Sequence, residues 1–451
     1  METVEAWLGA INNVVWGPPM LALLIGTHLF LTVRLRFVQR YMGTAIRLSL
    51  ERAPEGKGDV SQFGALTTSL AACIGTGNIV GVATAIAAGG PGAIFWMWLT
   101  GVLGIATKYG EALLAVKYRV VMADGSMAGG PMYVLEHGMG RKGLALAFAL
   151  FTAVSAFGIG NTVQANSIAT LVNDTLGVSV WITGALLALM TAAVILGGVR
   201  SIAAVCERLV PLMAVVYVVG CLAILALYAS EIPSALTLIV SSAFTGHAAL
   251  GGFLGAGMKE ALRFGIARGL FSNEAGLGSG SIISAAAQTK NPVRQALVAA
   301  SGVFWDTVVV CALTGLVFVC TGAWSEGHSG AALASAAFRH LPIVGPVILT
   351  TALMTFVFST LLGWSYFGEK ACEYIFGSGV VRPYRWLWVV GVFIGAVLPI
   401  PIVWSASDVT NALMAVPNLV SLIVLSGVIV AETRLYLWDG ALDATADDER
   451  R

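Results

Sequence analysis

The sequence predicts an all-α polytopic membrane protein. Of its 451 residues, 57% are hydrophobic and 11% are charged, whereas an ordinary soluble domain carries about 25% charged residues. The mean hydropathy is +0.86. Apolar windows of about 19 residues, long enough to cross about 30 Å of hydrocarbon, recur along almost the whole chain. These observations exclude a soluble enzyme.

Eleven such windows are predicted to be transmembrane helices. They cover residues 12–33, 63–87, 93–118, 144–171, 178–199, 209–229, 252–288, 296–322, 343–375, 385–402 and 411–431. The residues before the first window include Glu2 and Glu5 and lack the basic start of a signal peptide, so we expect this helix to be retained.

The basic residues predict the orientation, because Lys and Arg resist translocation across the membrane. If the N-terminus is outside, most of the 25 Lys and Arg residues fall on the cytoplasmic side. We therefore expect an external N-terminus and a cytoplasmic C-terminus in a bacterial-type inner membrane. The net charge of +1 gives no reason to expect nucleic acid as a partner.

Two of the predicted helices are interrupted near their middle by glycine and polar residues. The interruptions consist of Gly75, Thr76, Gly77 and Asn78 in the second span, and of Phe271, Ser272, Asn273, Glu274 and Gly276 in the seventh. Backbone groups released from a helix cannot face lipid, where each unsatisfied group costs several kcal/mol. Both interruptions are therefore predicted to line a polar site inside the protein.

The positions of the interruptions also predict the domain organisation. They fall in spans two and seven, so each opens a block of five helices, and an odd number of helices inverts the second block relative to the first. The predicted units are an accessory N-terminal segment, a first repeat, an inverted second repeat and a cytoplasmic tail, over residues 1–57, 58–232, 233–432 and 433–451. Interrupted helices of inverted repeats meet near the midplane and hold substrate and coupling ion.

The chemistry of such a site favours a small zwitterion and a cation. The N-terminus of a half-helix carries about half a positive charge and free N–H groups, which suit a carboxylate. Exposed carbonyls at half-helix C-termini suit Na⁺. Glycine leaves room close to the backbone and indicates a small ligand.

At these residues the chain resembles the alanine/glycine:cation symporter family, which contains sodium-coupled carriers of small neutral amino acids. Five sequence blocks carry the resemblance, at 75–86, 89–104, 129–138, 269–279 and 361–370. The resemblance implies a five-plus-five inverted repeat of the leucine-transporter type, preceded by one accessory helix and working by alternating access. It implies no enzymatic reaction and no cofactor, with Na⁺ as the coupling ion.

The resemblance also implies which residues bind. The substrate would contact Gly75, Thr76, Gly77, Asn78, Gln164, Phe271, Ser272, Asn273, Gly276 and Trp364. Among these, Trp364 would be the wall that limits side-chain size. The sodium ion would lie between carbonyls around Ala71 and Ile74 and hydroxyls of Ser359 and Thr360.

Several of these residues have a structural alternative. The structural alternative for Asn78 is to cap a half-helix, and that for Gln164 is an interhelical hydrogen bond. For Glu274, the structural alternative is to pair with Arg263 or Arg268. Asp306, in the middle of the eighth span, fits a cation ligand, a gate residue or a partner for a backbone N–H.

Other intramembrane groups are predicted to pack. Lys108 and Glu111 are three residues apart on a helix and fit a packing or gating pair. The same holds for Lys370 with Glu369 and Glu373. Ser359 and Thr360 are also candidates for hydrogen bonds to their own helix.

Three other functions are weighed against Na⁺ symport. Coupling to H⁺ instead of Na⁺ would use Glu274 or Asp306 as the proton carrier. A membrane-embedded hydrolase would need paired catalytic residues, and no H-E-x-x-H motif is present. A passive channel is disfavoured because paired interrupted helices indicate a closed binding site. The sequence has no Walker motif, which disfavours ATP-driven transport.

Overall fold

The protein is helical almost throughout in the computed structural model, which describes residues 7–8, 11–12, 14–51, 56–245, 258–398 and 401–445. The helices of the first half are α1 (Pro18–Arg34), α2 (Met42–Ser49), α3 (Gln62–Cys73), α4 (Val82–Gly89), α5 (Gly92–Lys117), α6 (Pro131–Tyr133), α7 (Lys142–Ser155), α8 (Val163–Leu176), α9 (Val180–Ile195), α10 (Gly198–Leu227) and α11 (Ile232–Thr245). Two short strands, β1 (Val120–Val121) and β2 (Met127–Ala128), form an antiparallel hairpin after α5.

The second half continues in the same way. Its helices are α12 (Met258–Asn273), α13 (Ser281–Ser284), α14 (Pro292–Val303), α15 (Ala312–Cys320), α16 (Gly330–Phe338), α17 (Val344–Phe376), α18 (Val381–Val397), α19 (Pro401–Val424) and α20 (Ser426–Thr433). Segments of π-helix follow α6 and α20, precede α4, and join α7 to α8 and α14 to α15.

The helices confirm a multi-pass membrane protein but do not reproduce the predicted count of eleven spans. Over the described residues, seven helices are long and apolar enough to cross a membrane, or up to nine if each of two bent pairs is one span. The predicted fifth span corresponds to α9, which has only 16 residues. The predicted seventh span begins at 252–257, outside the described residues, and continues as α12, which carries Glu260, Arg263 and Arg268.

Other boundaries differ because helix continues where hydrophobicity stops. The sixth predicted span corresponds to α10, which begins at Gly198 rather than at 209. The helix can include Glu207 because the Ser61 hydroxyl donates to Glu207 Oε1 at 2.7 Å. The last predicted span is displaced in the same sense, since α19 already begins at Pro401. Helices α11 and α16 were not predicted, because neither fills a window of about 20 apolar residues.

The first predicted interruption is present. Helix α3 begins at a Ser61 cap, whose Oγ accepts from Gly64 N at 2.8 Å, and it ends at Cys73. Ile74 is extended at ψ 92°. A π-helical turn over Gly77–Gly81 then leads into α4. The two halves meet at 51°, so this span is bent at the glycine-rich segment.

The second interruption is also present. Helix α12 ends at Asn273, and the chain is unwound until α13 begins at Ser281. Within it, Glu274 has φ +56°, and Gly276 and Gly278 have φ +105° and +82°. Glycine adopts these angles without steric cost, whereas Glu274 is held there against a cost of about 1–3 kcal/mol.

The two interrupted helices lie inside the bundle. Helix α5 packs against α12 and α14, and α17 packs against α3, α7 and α10. The approach between α17 and α3 is close at Gly363, where a Cβ would lie 2.7 Å from Ala72 N. Freed backbone groups at both interruptions therefore face protein and not lipid, as a membrane requires.

Candidate substrate and ion site

A small cavity lies where the two interrupted helices meet α8, α17 and α19. Its volume is about 20 Å³. It is lined by Ala72, Cys73, Gly75, Thr76, Gly77, Ile159, Gln164, Phe271, Glu274, Leu277, Thr360, Trp364 and Asn411. Seven predicted site residues therefore lie on one cavity. These are Gly75, Thr76, Gly77, Gln164, Phe271, Thr360 and Trp364.

Asn78 does not line this cavity but caps the first interruption. Its Oδ1 accepts from Gly75 N at 2.9 Å, so that amide does not extend α3. Its Nδ2 donates to Asp306 Oδ1 at 2.7 Å. Asn78 is fully buried. The capping alternative for Asn78 thus matches its contacts, and the same side chain also joins the first interruption to the π-helical segment after α14.

The second interruption is tied to the same carboxylate. Ser272 Oγ donates to Asp306 Oδ2 at 2.8 Å, and Thr307 Oγ1 donates to the same oxygen at 2.7 Å. Asn273 Nδ2 in turn donates to Thr307 Oγ1 at 3.1 Å. Asp306 therefore accepts from both interrupted helices, and of the three roles considered for it, these contacts fit a fixed structural acceptor.

The unwound segment after α12 is further held by polar groups of α5 and α19. Gly276 N donates to Glu111 Oε1 at 2.8 Å, and Asn418 Nδ2 donates to the same oxygen at 2.7 Å. Lys108 Nζ donates to Asn273 O at 3.4 Å. Lys108 and Glu111 thus contact the interruption directly. This is a more specific role than the packing pair that their spacing predicts.

Glu274 faces the cavity and bonds locally. Its Oε2 accepts from Ser279 Oγ at 2.6 Å. Arg268, one of the two predicted partners, instead has its guanidinium carbon 5.5 Å from the centre of the Phe271 ring. Arg263 and Arg268 line a second cavity of about 80 Å³ together with Asp408. Phe271 lines both cavities.

Gln164 and Trp364 form another part of the wall. Gln164 Nε2 donates to Ile159 O at 2.9 Å, which leaves Oε1 buried without a partner among the described residues. Trp364 is 2% exposed. Gly160 permits its position, since a Cβ at Gly160 would overlap the Trp364 side chain. The indole therefore fills space that a larger ligand would need.

The predicted sodium residues lie on adjoining parts of α3 and α17. Ser359 Oγ donates to Phe356 O at 2.8 Å and lies 3.3 Å from Ala71 O. Thr360 Oγ1 also donates to Phe356 O, at 2.9 Å. Both hydroxyls thus bond to their own helix, as the structural alternative predicted, while one of them also reaches the carbonyl end of α3. Ile74 is buried at that end.

Thr355, a further hydroxyl on α17 about one helical turn before Ser359 and Thr360, does not join this group. It lines a separate apolar groove with Phe358 and Arg208. The predicted residues Ser272 and Asn273 lie at the end of α12, and Gly276 lies in the unwound segment. None of the three lines the cavity.

Asn411 is a polar residue of the cavity wall that sequence analysis missed. It is 2% exposed, lies on α19 and lines the cavity. No glycine or interruption marks it in the sequence, because α19 is a continuous helix at this point. Asn411 is the first residue of the predicted span 411–431. Only the observed start of the helix at Pro401 places it near the middle of α19, where a polar residue is costly in a membrane.

Two interrupted helices that meet inside a multi-pass helical bundle are typical of the class of secondary membrane transporters. The fold matches that of MhsT, solved in complex with L-phenylalanine, at a TM-score of 0.58 and 14% identity. The match covers 84% of this chain and 99% of that one. It shows that the chain has the leucine-transporter type of fold.

The chain belongs to the sodium:alanine symporter family, whose model matches residues 1–448. It is 50% identical over 441 residues to the sodium/alanine symporter AgcS of Methanococcus maripaludis, covering 95% of this chain and 96% of AgcS. It is 34% identical over 440 residues to the probable sodium/glutamine symporter GlnT of Bacillus subtilis, covering 96% and 91%. The family and these relatives are transporters and not enzymes, and they support amino-acid symport.

Proposed function

We propose that this chain is a Na⁺-coupled symporter that brings a small neutral amino acid, such as alanine or glycine, into the cell by alternating access. The observation that carries the proposal is the buried cavity at the first interruption. It is bounded by glycine backbone and by side-chain oxygens that have no hydrogen-bond partner among the described residues. The similarity to the sodium/alanine symporter AgcS supports the same choice.

The walls of the cavity favour a small substrate. Its volume of about 20 Å³ exceeds the roughly 10–15 Å³ needed for one water and leaves no room for an amino acid. This conformation is therefore closed, and the substrate enters when the walls separate. Phe271 is the wall shared with the second cavity, so its movement would join the two. Trp364 then limits the size of the substrate side chain.

The proposed sodium site uses the C-terminal end of α3. Gly75 N donates to Asn78, so the Ala71 carbonyl is available at the helix end, next to Ser359 Oγ. Carbonyl and hydroxyl oxygens are hard donors that suit an alkali cation. The ion and the substrate would occupy adjoining positions, since Thr360 follows Ser359 and lines the cavity.

The topology of this transporter is also a proposal. We infer eleven spans arranged as two inverted repeats, over 58–232 and 233–432, with an external N-terminus and a cytoplasmic C-terminus. The distribution of basic residues supports this orientation. Occupancy by Na⁺ and substrate together would favour the closed state over either open one, which is the basis of coupling.

Uptake of labelled alanine into proteoliposomes tests the function. Three gradients are compared: inward Na⁺, inward H⁺ with choline replacing Na⁺, and no gradient. We expect accumulation above equilibrium only with Na⁺. Equal accumulation with the H⁺ gradient in choline would show that H⁺, and not Na⁺, is the coupling ion. Failure to take up alanine, glycine or serine under any gradient would overturn the proposed substrate class.

A further inference from the structure

We propose that Asn411 binds the substrate, and that Asn411 Oδ1, Gln164 Oε1 and Thr76 Oγ1 together form a three-oxygen receptor for the ammonium group of an amino acid. This inference rests on the proposed function and deepens it, because it adds a residue and assigns it one end of the substrate. The three side chains come from α19, α8 and the first interruption, and all three line the same cavity.

The three oxygens share an unusual condition. Each is buried, and none has a hydrogen-bond partner among the described residues. Leaving a buried polar atom unpartnered costs about 1–3 kcal/mol. Three such atoms around one cavity therefore indicate a ligand that supplies hydrogen-bond donors there. A protonated amino group has three N–H donors and no acceptor, as the lysine ammonium does.

The orientation of Gln164 supports an acceptor role. Its Nε2 is fixed by the bond to Ile159 O, so its oxygen is the end left for a ligand. A cationic donor suits such a site, because hydrogen bonds to charged groups are about twice as strong as neutral ones. The carboxylate of the substrate would then face the free backbone N–H groups of the interruption.

A second asparagine on the same helix shows what a structural role looks like. Asn418 Nδ2 donates to Glu111 Oε1 at 2.7 Å and to Gly276 O at 2.9 Å, so it holds the unwound segment. Asn411 lies about two helical turns earlier, and its oxygen has no comparable contact within the part of the chain that the structure describes. Hydrogen bonds to the protein therefore account for the polar side chain of Asn418, and they do not account for the oxygen of Asn411.

Two substitutions of Asn411 distinguish whether its side chain accepts a hydrogen bond from the substrate or donates one. N411L removes the polar group at similar size, and N411D keeps an oxygen acceptor but replaces the Nδ2 donor by a second oxygen. Alanine binding is measured by titration of the purified full-length protein at saturating Na⁺. We expect N411L to raise the Kd by about tenfold or more, the loss of one hydrogen bond to a charged group. We expect N411D to bind at least as tightly as wild type.

The control is T410V, a nearly isosteric change on the same helix. Thr410 bonds to Ser155 and to its own helix and does not line the cavity, so T410V should bind alanine like wild type. Thermal unfolding of each variant in detergent checks that it is folded. N411A replaces N411L if leucine is not accommodated, with the same expectation.

Several outcomes overturn the inference. Unchanged alanine binding by N411L or N411A would remove Asn411 from the site. Weaker binding by N411D than by N411L would show that the side chain donates, and would assign it to the carboxylate end. If the wild-type protein binds no small amino acid, the proposed function fails. If the wild-type protein binds alanine and the variants bind it equally well, only the role of Asn411 fails.

Discussion

The Asp306 carboxylate provides the most direct test of how the two interruptions are held together. We predict that D306N lowers the free energy of unfolding and reduces transport, although the substitution preserves the shape of the side chain. Asp306 is fully buried and accepts hydrogen bonds from Asn78, Ser272 and Thr307, at 2.7, 2.8 and 2.7 Å. Two of these donors lie in the interruptions themselves.

The magnitude follows from the number of acceptors. Asp306 uses both oxygens, whereas an asparagine offers one oxygen and an NH₂ group that cannot accept. In the best orientation, the new oxygen keeps the bond to Asn78, and the hydroxyls of Ser272 and Thr307 must accept instead of donate. The loss of charge-assisted bonding is worth about 1.5–3 kcal/mol. D306A should cost more, because it removes the carboxylate acceptor of all three donors.

The assay is equilibrium unfolding in mixed micelles, followed by far-UV circular dichroism and run as a double-mutant cycle with S272A. Because Ser272 bonds directly to Asp306, the two changes should be non-additive by about 0.5–3 kcal/mol. Labelled alanine uptake is measured on the same variants. A D306N protein within about 0.5 kcal/mol of wild type, the usual range of a neutral surface change, would refute the reasoning. So would a fully additive cycle.

The remaining predictions concern the size of the substrate and the ion. W364A should admit larger side chains, because the indole is a buried wall of the cavity; leucine should then compete with labelled alanine about tenfold better than in wild type. Unchanged competition would mean that another wall sets the size. S359A should raise the Na⁺ concentration for half-maximal uptake by about tenfold, because it removes a hydroxyl next to the Ala71 carbonyl. S365A, on the same helix but bonded to Leu362 O, is the control and should leave the Na⁺ dependence unchanged.

Much of the architecture follows from local chemistry. A helix that is broken by glycine and polar residues inside an apolar span must lie in the protein interior or beside water, because its free backbone groups cannot face lipid. The sequence therefore located both interruptions, at Gly75 to Asn78 and at Phe271 to Gly276, and the structure confirms them. It failed on α11 and α16, because a hydropathy window does not detect helices of 14 and 9 residues.

The roles of individual polar residues were harder to predict. The spacing of Lys108 and Glu111 indicated a pair on one helix, but their partners lie more than 160 positions away, in the second interruption. In the sequence, Asn78 was a candidate ligand with a half-helix cap as its structural alternative. Its contact with Asp306, 228 positions away, decides that it joins two helices.

The sequence by itself determined the class of protein, the two breaks and the family, because each depends on residues that are adjacent along the chain. Only the tertiary structure decided which side chains share one cavity. Gln164 and Asn411 lie on different helices, and nothing in their local sequences relates them. Side-chain packing brings the helices around the cavity together. Glycine permits the close approaches of Gly160 to Trp364 and of Gly363 to Ala72. This packing between distant parts of the chain places Asn411 on the same cavity as the first interruption.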